Sequence, residues 1–562
     1  MQIKNELNNI INSALKSLDI ETNTTISEAT KPEFGDFQFN GAMALAKKLK
    51  KNPREIATTI VDKIKDNPIF SKVEIAGPGF INLTISSKFL EENITKALDS
   101  RCGVNKNQES IKVVVDYSSP NMAKQMHVGH LRSTIIGDTI ANLFEFLGDE
   151  VIRQNHIGDW GTQFGMLIAY FEESGADADS KLSDLEQFYK EAKVKFDQSQ
   201  EFANKSREYV VKLQSGDKLC LNLWNNFIEK SLEHAQDIYD SLGVKLDKSA
   251  VKGESSYNKD LANIVEELEQ KGVAKVSEGA KCIFFKDSQN PLIIQKSDGG
   301  YLYATTDLAA IKYRVQTLGA KRVCYVVDAR QAEHFKQVFT AAKEAGYAKD
   351  ALLEHIAFGM MLDKSGRPFK TRDGGTVKLK DLINEAIAKS KKVINRADEY
   401  NEEELEKIAK VVGIGSLKYA DLSINRQSNY IFDWDKMLSL DGNTALYMQY
   451  AYARINSILN RAGEFNSQKV ILSDDLERRL ALKILLLEDT LNRAYKEAMP
   501  HIITTYLYEL ATLFMRFYEH NPILKDGVEQ EQRESRLILA KATANAIKVS
   551  LNILGIDVLE RL

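Results

Sequence analysis

Two imidazoles separated by Val128 and Gly129, in the order His127-Val128-Gly129-His130, are the residues of this chain best suited by type and spacing to handle phosphate. An apolar β-branched run, Val113-Val114-Val115, precedes them and ends in a turn rich in Ser, Pro and Asn. After them Leu131, Ile135, Ile136, Ile140 and Leu143 recur at helical spacing. The pattern predicts a strand that delivers both histidines to the first turn of a helix. There the unpaired N–H groups and the positive end of the helix dipole attract an anion, and the imidazoles add donors. Gly129 has no Cβ, so a flat base can lie directly on the backbone at that point.

The elements around this motif divide by texture. Up to about residue 100, helix-like stretches alternate with the aromatic patch Phe34-Gly35-Asp36-Phe37-Gln38-Phe39, and Val73 to Leu83 alternates like strands about a turn. This predicts a compact α+β module. From about 108 to 380, short apolar runs at 111–117, 150–155, 282–285, 292–295 and 322–328 alternate with helical periods, which predicts a parallel α/β sheet. The polar stretch 172–270 is too long for one crossover and reads as a helical insertion. After about 440, Tyr447, Tyr450, Ala451, Arg454, Ile455, Ile458 and Leu459 begin a run of amphipathic helices, with Phe514 and Phe517 expected in their core.

Composition bounds the function class. The 562 residues are 43% hydrophobic and 27% charged, which suits several packed domains and excludes a mainly disordered or membrane chain. There is no run of about 18 apolar residues. Cys102, Cys220, Cys282 and Cys324 are far apart, against a zinc ribbon or a disulfide framework and in keeping with a reducing cytoplasm. The net charge of −4 does not decide for or against RNA, because large RNA-binding enzymes can be basic along one face only. No Gly-x-Gly-x-x-Gly follows the 111–117 run, which excludes a dinucleotide-dependent dehydrogenase.

Tyr117 to Gly137, followed by Asn155-His156-Ile157-Gly158-Asp159-Trp160-Gly161-Thr162-Gln163-Phe164-Gly165, resembles the arginyl-tRNA synthetases, a family of class I aminoacyl-tRNA synthetases. The resemblance continues through Tyr301 to Asp307, Tyr325 to His334, Gly359 to Leu379 and Thr444 to Arg461. It implies a Rossmann-type parallel sheet with insertions, an N-terminal α+β domain and a C-terminal all-α helical bundle. In that scheme residues 1–105 form the N-terminal domain that meets the tRNA elbow. Residues 106–375 form the catalytic domain, with its helical insertion around 172–270. Residues 376–440 are a connecting stem, and 441–562 bind the anticodon.

The reaction implied joins L-arginine to ATP, giving arginyl-adenylate and pyrophosphate, and then moves arginine to the 3′-terminal ribose of tRNA(Arg). The implied cofactor is ATP with Mg²⁺, without zinc, in a cytoplasmic monomer with no membrane partner. By the matching motifs, Lys124, His127 and His130 serve the triphosphate and Gly129 the adenine. Asp307 and Asp116 take the guanidinium, Tyr303 flanks it, and Asn121 and Gln331 take the α-amino end. Phe34, Tyr447, Gln449 and Arg454 are the implied tRNA contacts. Two other readings remain at this point: a nucleotidylyltransferase with the same histidine motif, and a tRNA-binding paralogue without catalysis.

One departure from the family pattern stands out. The Lys-Met-Ser-Lys-Ser loop of class I enzymes is missing, and the corresponding stretch, Lys364 to Gly375, offers Lys370 and Arg372 as its phosphate cations. The resemblance implies that a lysine ahead of the histidine motif, here Lys124, takes over part of the role of the degenerate loop. Lys124→Ala is therefore expected to slow adenylate formation more than Lys370→Ala does. Single-turnover adenylate formation in the two variants decides this, and a larger defect at Lys370 would reverse the assignment.

Overall fold

A computed structural model describes residues 2–20, 25–174, 185–369, 377–394, 399–465 and 467–562. Lys370 and Arg372 lie outside the described residues. Four parallel strands stand side by side in the order Leu352–His355, Arg322–Tyr325, Lys112–Asp116 and Glu150–Gln154. Val113, Val114 and Val115 have no exposed surface, as befits a strand covered on both faces. Tyr325 and Gln154 flank Asp116 in register. The chain leaves Lys112–Asp116 through the helix Val128–Leu147 and returns one place to one side, at Glu150–Gln154. The later strands add on the opposite side. The direction of winding thus reverses between Lys112–Asp116 and Arg322–Tyr325, and ligands of open α/β sheets bind outside the carboxyl ends of the strands at such a point.

Two strand expectations need correction. The runs at 282–285 and 292–295 do not join the parallel sheet. As Ala280–Ile283 and Leu292–Gln295, with Lys275–Ser277, they form a separate three-stranded antiparallel sheet. The sheet's actual fourth strand, Leu352–His355, had no place among the expected ones. It is an edge strand of four residues with Leu352 half exposed, too short to show a period. The 172–270 stretch contains the helices Leu185–Gln198, Gln200–Gln214, Lys218–Leu242 and Leu261–Gln270. Phe188, Phe202 and Phe227 from these helices pack with Met122, Ala123 and Phe164, next to the turn that leads into the histidines.

Ahead of the sheet, four antiparallel strands run in the order Ile26–Glu28, Phe37–Phe39, Phe80–Ile85, Phe70–Ala76. Beyond it, the helices Ala445–Ala462, Asp475–Leu485, Leu487–Glu497, His501–His520 and Gln530–Ile553 pack on one another, with Phe514 and Phe517 in their core. Among the described residues no helix is long and apolar enough to cross a membrane.

The histidine helix is held from its far side by directional polar contacts. Sixteen of the twenty residues of Val128–Leu147 are buried. Arg132 donates from Nε to Asp421 at 2.9 Å and from Nη1 to the carbonyls of Gly359 (2.6 Å) and Ser428 (3.0 Å). Arg132 and Asp421 are both almost fully buried. Arg132→Ala is expected to destabilise the fold by about 3–5 kcal/mol, the usual cost of leaving one buried ion unpaired. Urea denaturation followed by tryptophan fluorescence checks this, and an unchanged midpoint would contradict it.

Candidate functional site at the carboxyl ends of the strands

Between the strand Lys112–Asp116 and the histidine helix the backbone makes a strained turn, with Ser118 at φ 70° and Ser119 at φ 45°. Left-handed serines are uncommon and persist where their surroundings over-determine them. Here Ser118 donates its N–H to Ser133 Oγ and shares a 2.8 Å hydroxyl contact with Tyr239, while Ser119 donates its N–H to Asn155 Oδ1. The turn fixes where the chain emerges. Asn121 then bridges to Gly158 and caps the next turn through the N–H of Ala123.

The two imidazoles cap the helix reciprocally. His127 Nδ1 accepts from the N–H of Gly129 at 3.0 Å, and His130 Nδ1 accepts from the N–H of His127 at 3.1 Å. With both Nδ1 atoms accepting, each ring carries its proton on Nε2. Burial, with the neighbouring His127, drives His130 down to about 3, and burial with the Lys124 ammonium lowers His127. Both rings are thus neutral Nε2–H donors at the positive end of a helix. A Cβ on Gly129 would lie 2.7 Å from His127 Cε1, so this arrangement requires glycine there. Lys124 is exposed beside them, its ammonium 5.0 Å from the ring of Tyr189 on the insertion.

Across the switch point lies a cluster of carboxylates. Tyr303 opens the helix Tyr303–Lys312 and is 72% exposed, while Asp307 one turn on is partly buried. Gln331 is exposed at the start of the helix Ala332–Glu344. Asp116 is partnered within the protein as well. Its Oδ2 meets the buried Arg314 Nη2 at 2.8 Å and its Oδ1 accepts from Ser119 Oγ, so both oxygens are engaged before any ligand arrives. Arg314 sits in a π-helical turn, Tyr313–Thr317, and donates from Nε to Gln154 Oε1 at 2.6 Å. Asp116 thus holds this internal guanidinium at the carboxyl end of its strand.

Glu254 is a further carboxylate near these groups, and the sequence reading missed it. Burial, and then the charges of Asp159 and Asp307, push its carboxyl up to about 7, and its charge is felt in turn by Tyr303. It lies in a loop with no periodic or motif signal. What places it is Asp159 of the His-Ile-Gly-Asp-Trp-Gly motif, which accepts from both the N–H (2.9 Å) and the hydroxyl (2.6 Å) of Ser255. A Cβ on Gly253 would fall 2.0 Å from Asp159 Oδ2, so only glycine permits the clamp. Trp160, against the ring of Trp224, is a packing residue.

Of the expected RNA contacts, Arg454 is exposed and lies over the Tyr518 ring at 5.1 Å, and Phe34 and Tyr447 are half-buried. Gln449 is a correction. It has no exposed surface, and its amide donates to the carbonyls of Val411 and Asp557, which makes it a fastener inside the bundle.

Three family models cover the chain: the arginyl tRNA synthetase N terminal domain over residues 2–85, the catalytic domain of tRNA synthetases class I (R) over 93–434, and the DALR anticodon binding domain over 448–562. The chain belongs to the arginyl-tRNA synthetase family. An arginine--tRNA ligase of Pseudoalteromonas atlantica is 50% identical over the full length of both chains, and one of Laribacter hongkongensis is 50% identical over 95% of each. The arginyl-tRNA synthetase structure from Plasmodium falciparum superposes with a TM-score of 0.88 at 32% identity, covering 100% of both chains. The Thermus thermophilus arginyl-tRNA synthetase shares the fold, with a TM-score of 0.85 at 24% identity over 100% of both.

For an arginyl-tRNA synthetase of this geometry, the two halves of the site respond differently to pH. Below about 7 Glu254 takes up a proton and this carboxylate cluster loses a negative charge, while His130, held down to about 3, stays neutral. The KM for arginine is expected to rise between about pH 8 and about pH 6 with the KM for ATP flat, and Glu254→Gln to hold the arginine KM high at every pH. Initial rates at both pH values check this; an unchanged pH profile in the variant would remove Glu254 from the pocket.

Proposed function

We propose that this chain is an arginine–tRNA ligase acting in two steps at the carboxyl ends of the parallel strands. The carboxylate oxygen of L-arginine attacks the α-phosphorus of MgATP in line. An O–P bond forms, the α–β bridge breaks, and pyrophosphate leaves. A hydroxyl of the 3′-terminal ribose of tRNA(Arg) then attacks the arginyl carbonyl carbon and AMP departs. The observation that carries this reading is the pair of neutral Nε2–H donors on one helix end beside a pocket of carboxylates. Polyanion and guanidinium each find a complementary surface there.

In this reading no side chain acts as nucleophile, and the protein positions the reactants and stabilises charge. His127 and His130 donate to phosphate oxygens, most strongly as charge builds on the leaving pyrophosphate. Lys124 adds an ammonium, Gly129 takes the adenine, and the loop cations Lys370 and Arg372 close over the phosphates. The Mg²⁺ arrives on the nucleotide as part of the substrate. Asp307 and Glu254 take the planar five-donor guanidinium, Tyr303 covers it, and Asn121 and Gln331 orient the α-amino group. A lysine would leave those partly buried carboxylates poorly paired, which gives discrimination without a separate editing site.

For the RNA, the reading assigns the anticodon to the bundle near Arg454 and Tyr447, and the elbow to the N-terminal module near Phe34. The cation–ring pairs Lys31 over Phe34 and Arg454 over Tyr518 support this, since such pairs can stack unpaired bases. The protein is read as a cytoplasmic monomer, and its four cysteines are all unpaired and buried, as suits a reducing compartment.

Arginine-dependent exchange of pyrophosphate into ATP, run with and without tRNA(Arg), tests the activity. Exchange that needs tRNA is the expected result, since the resemblance implies activation completed by RNA. Exchange without tRNA would keep the chemistry and remove that dependence. Absence of exchange in folded protein under both conditions would leave a tRNA-binding protein without catalysis.

A further inference from the structure

Asp307 does not enter the pocket with both oxygens open. His334 Nε2 lies 2.6 Å from Asp307 Oδ2, and among the described residues no hydrogen bond reaches Oδ1. The two residues come from different elements. Asp307 belongs to the helix Tyr303–Lys312, and His334 to the first turn of Ala332–Glu344, three residues after Gln331. Their contact therefore ties together the two helix ends that wall the pocket. The imidazole is itself held by the Phe335 ring, edge-on at 5.5 Å, and keeps partial exposure toward the site.

We propose that His334 is a positioning residue that sets the arginine specificity of the pocket by holding one oxygen of Asp307 and presenting the other. With Oδ2 held by His334, Oδ1 is the oxygen of Asp307 without a protein partner among the described residues, and a second carboxylate, Glu254, is near enough for its charge to be felt at Asp307. A planar guanidinium, with N–H groups pointing to several sides, can bridge two separately held carboxylates; a compact ammonium interacts as a point charge and gains less from that spacing. Without His334 the Asp307 side chain is free to turn, and the fixed spacing is lost.

This inference rests on the assignment of Asp307 to the guanidinium, and one set of variants separates the two. Steady-state aminoacylation is measured for His334→Ala, His334→Gln, Asp307→Asn and the double variant Asp307→Asn/His334→Ala, with arginine and ATP varied in turn. His334→Ala is expected to raise the arginine KM about tenfold, the size of one lost hydrogen bond to a charged group, and to leave the ATP KM within about twofold. His334→Gln, which keeps an N–H at the reach of Nε2, should recover most of that loss. The double variant should be no worse than Asp307→Asn, because His334 acts only through that carboxylate. Inhibition by L-lysine should strengthen in His334→Ala. Equal rises in both KM values, additive single effects, or no recovery with glutamine would overturn the proposal. A raised arginine KM in Asp307→Asn with none in His334→Ala would overturn it alone. An unchanged arginine KM in Asp307→Asn would overturn the Asp307 assignment and the proposal together.

Discussion

The orientation of a single helix, Val128–Leu147, decides where the chemistry can occur, and buried ionic contacts together with apolar packing set that orientation. Close-packed apolar side chains resist sliding, and hydrogen bonds to charged groups add fixed directions to that packing. Arg132 reaches Asp421 on the helix Glu402–Leu422 and two carbonyls of the segments around Gly359 and Ser428. One turn and a half further along, Asp138 accepts from the Tyr117 hydroxyl and the N–H of Lys245. The helix is thus locked on its stem side and its insertion side at once. Its free end carries the two imidazoles, with the first N–H groups of the helix already engaged by His127 and by the carbonyl of Val377.

That end and the carboxylate cluster solve opposite electrostatic problems with one tool, burial. Desolvation disfavours whichever form is charged. Applied to His127 and His130, it removes a positive charge and leaves neutral donors, whose interaction with phosphate is graded by hydrogen bonding and not dominated by a permanent ion pair that would bind the ground state as tightly. Applied to Glu254 beside Asp159 and Asp307, it makes crowded negative charge costly until a cation arrives. The permanent positive charge needed to hold the floor of the site comes from Arg314, itself neutralised by Asp116. Substrate charges are matched, and the protein's own are cancelled internally.

The legible parts of this arrangement were those with local signals. Val113 to Val115 and the periodic Leu131 to Leu143 announce a strand and a helix through composition alone, and the histidines lie between them. The apolar runs at 282–285 and 292–295 were recognisable as strands, but an apolar run carries no information on whether its neighbour is parallel or antiparallel. Leu352–His355 was hidden because four residues at a sheet edge need neither alternation nor a continuous apolar face. Glu254 had no local signal at all, since its place comes from Asp159, far away in sequence, and from a glycine that allows the approach. Gln449 shows the converse failure. A polar residue on an amphipathic helix reads as surface, yet here it satisfies two carbonyls inside the bundle.

The same polar logic makes the C-terminal bundle part of the catalytic scaffold. Lys418, with no exposed surface, donates from Nζ to the carbonyl of Leu242 at the end of the insertion helix and to that of Gly555 at 2.6 Å, just beyond the last helix. Burial lowers its pKa, and the charges of Asp138 and Asp557 oppose that shift. An ammonium in such a place is tolerable only while its acceptors surround it. Stem, insertion, bundle and histidine helix therefore share one buried cation, and displacement of the Gly555 turn would leave it short of a partner next to Asp138. Attached through Lys418, and through Thr139 and Asn142 to the carbonyls of Leu554 and Ile553, the bundle is tied to the helix that carries the histidines.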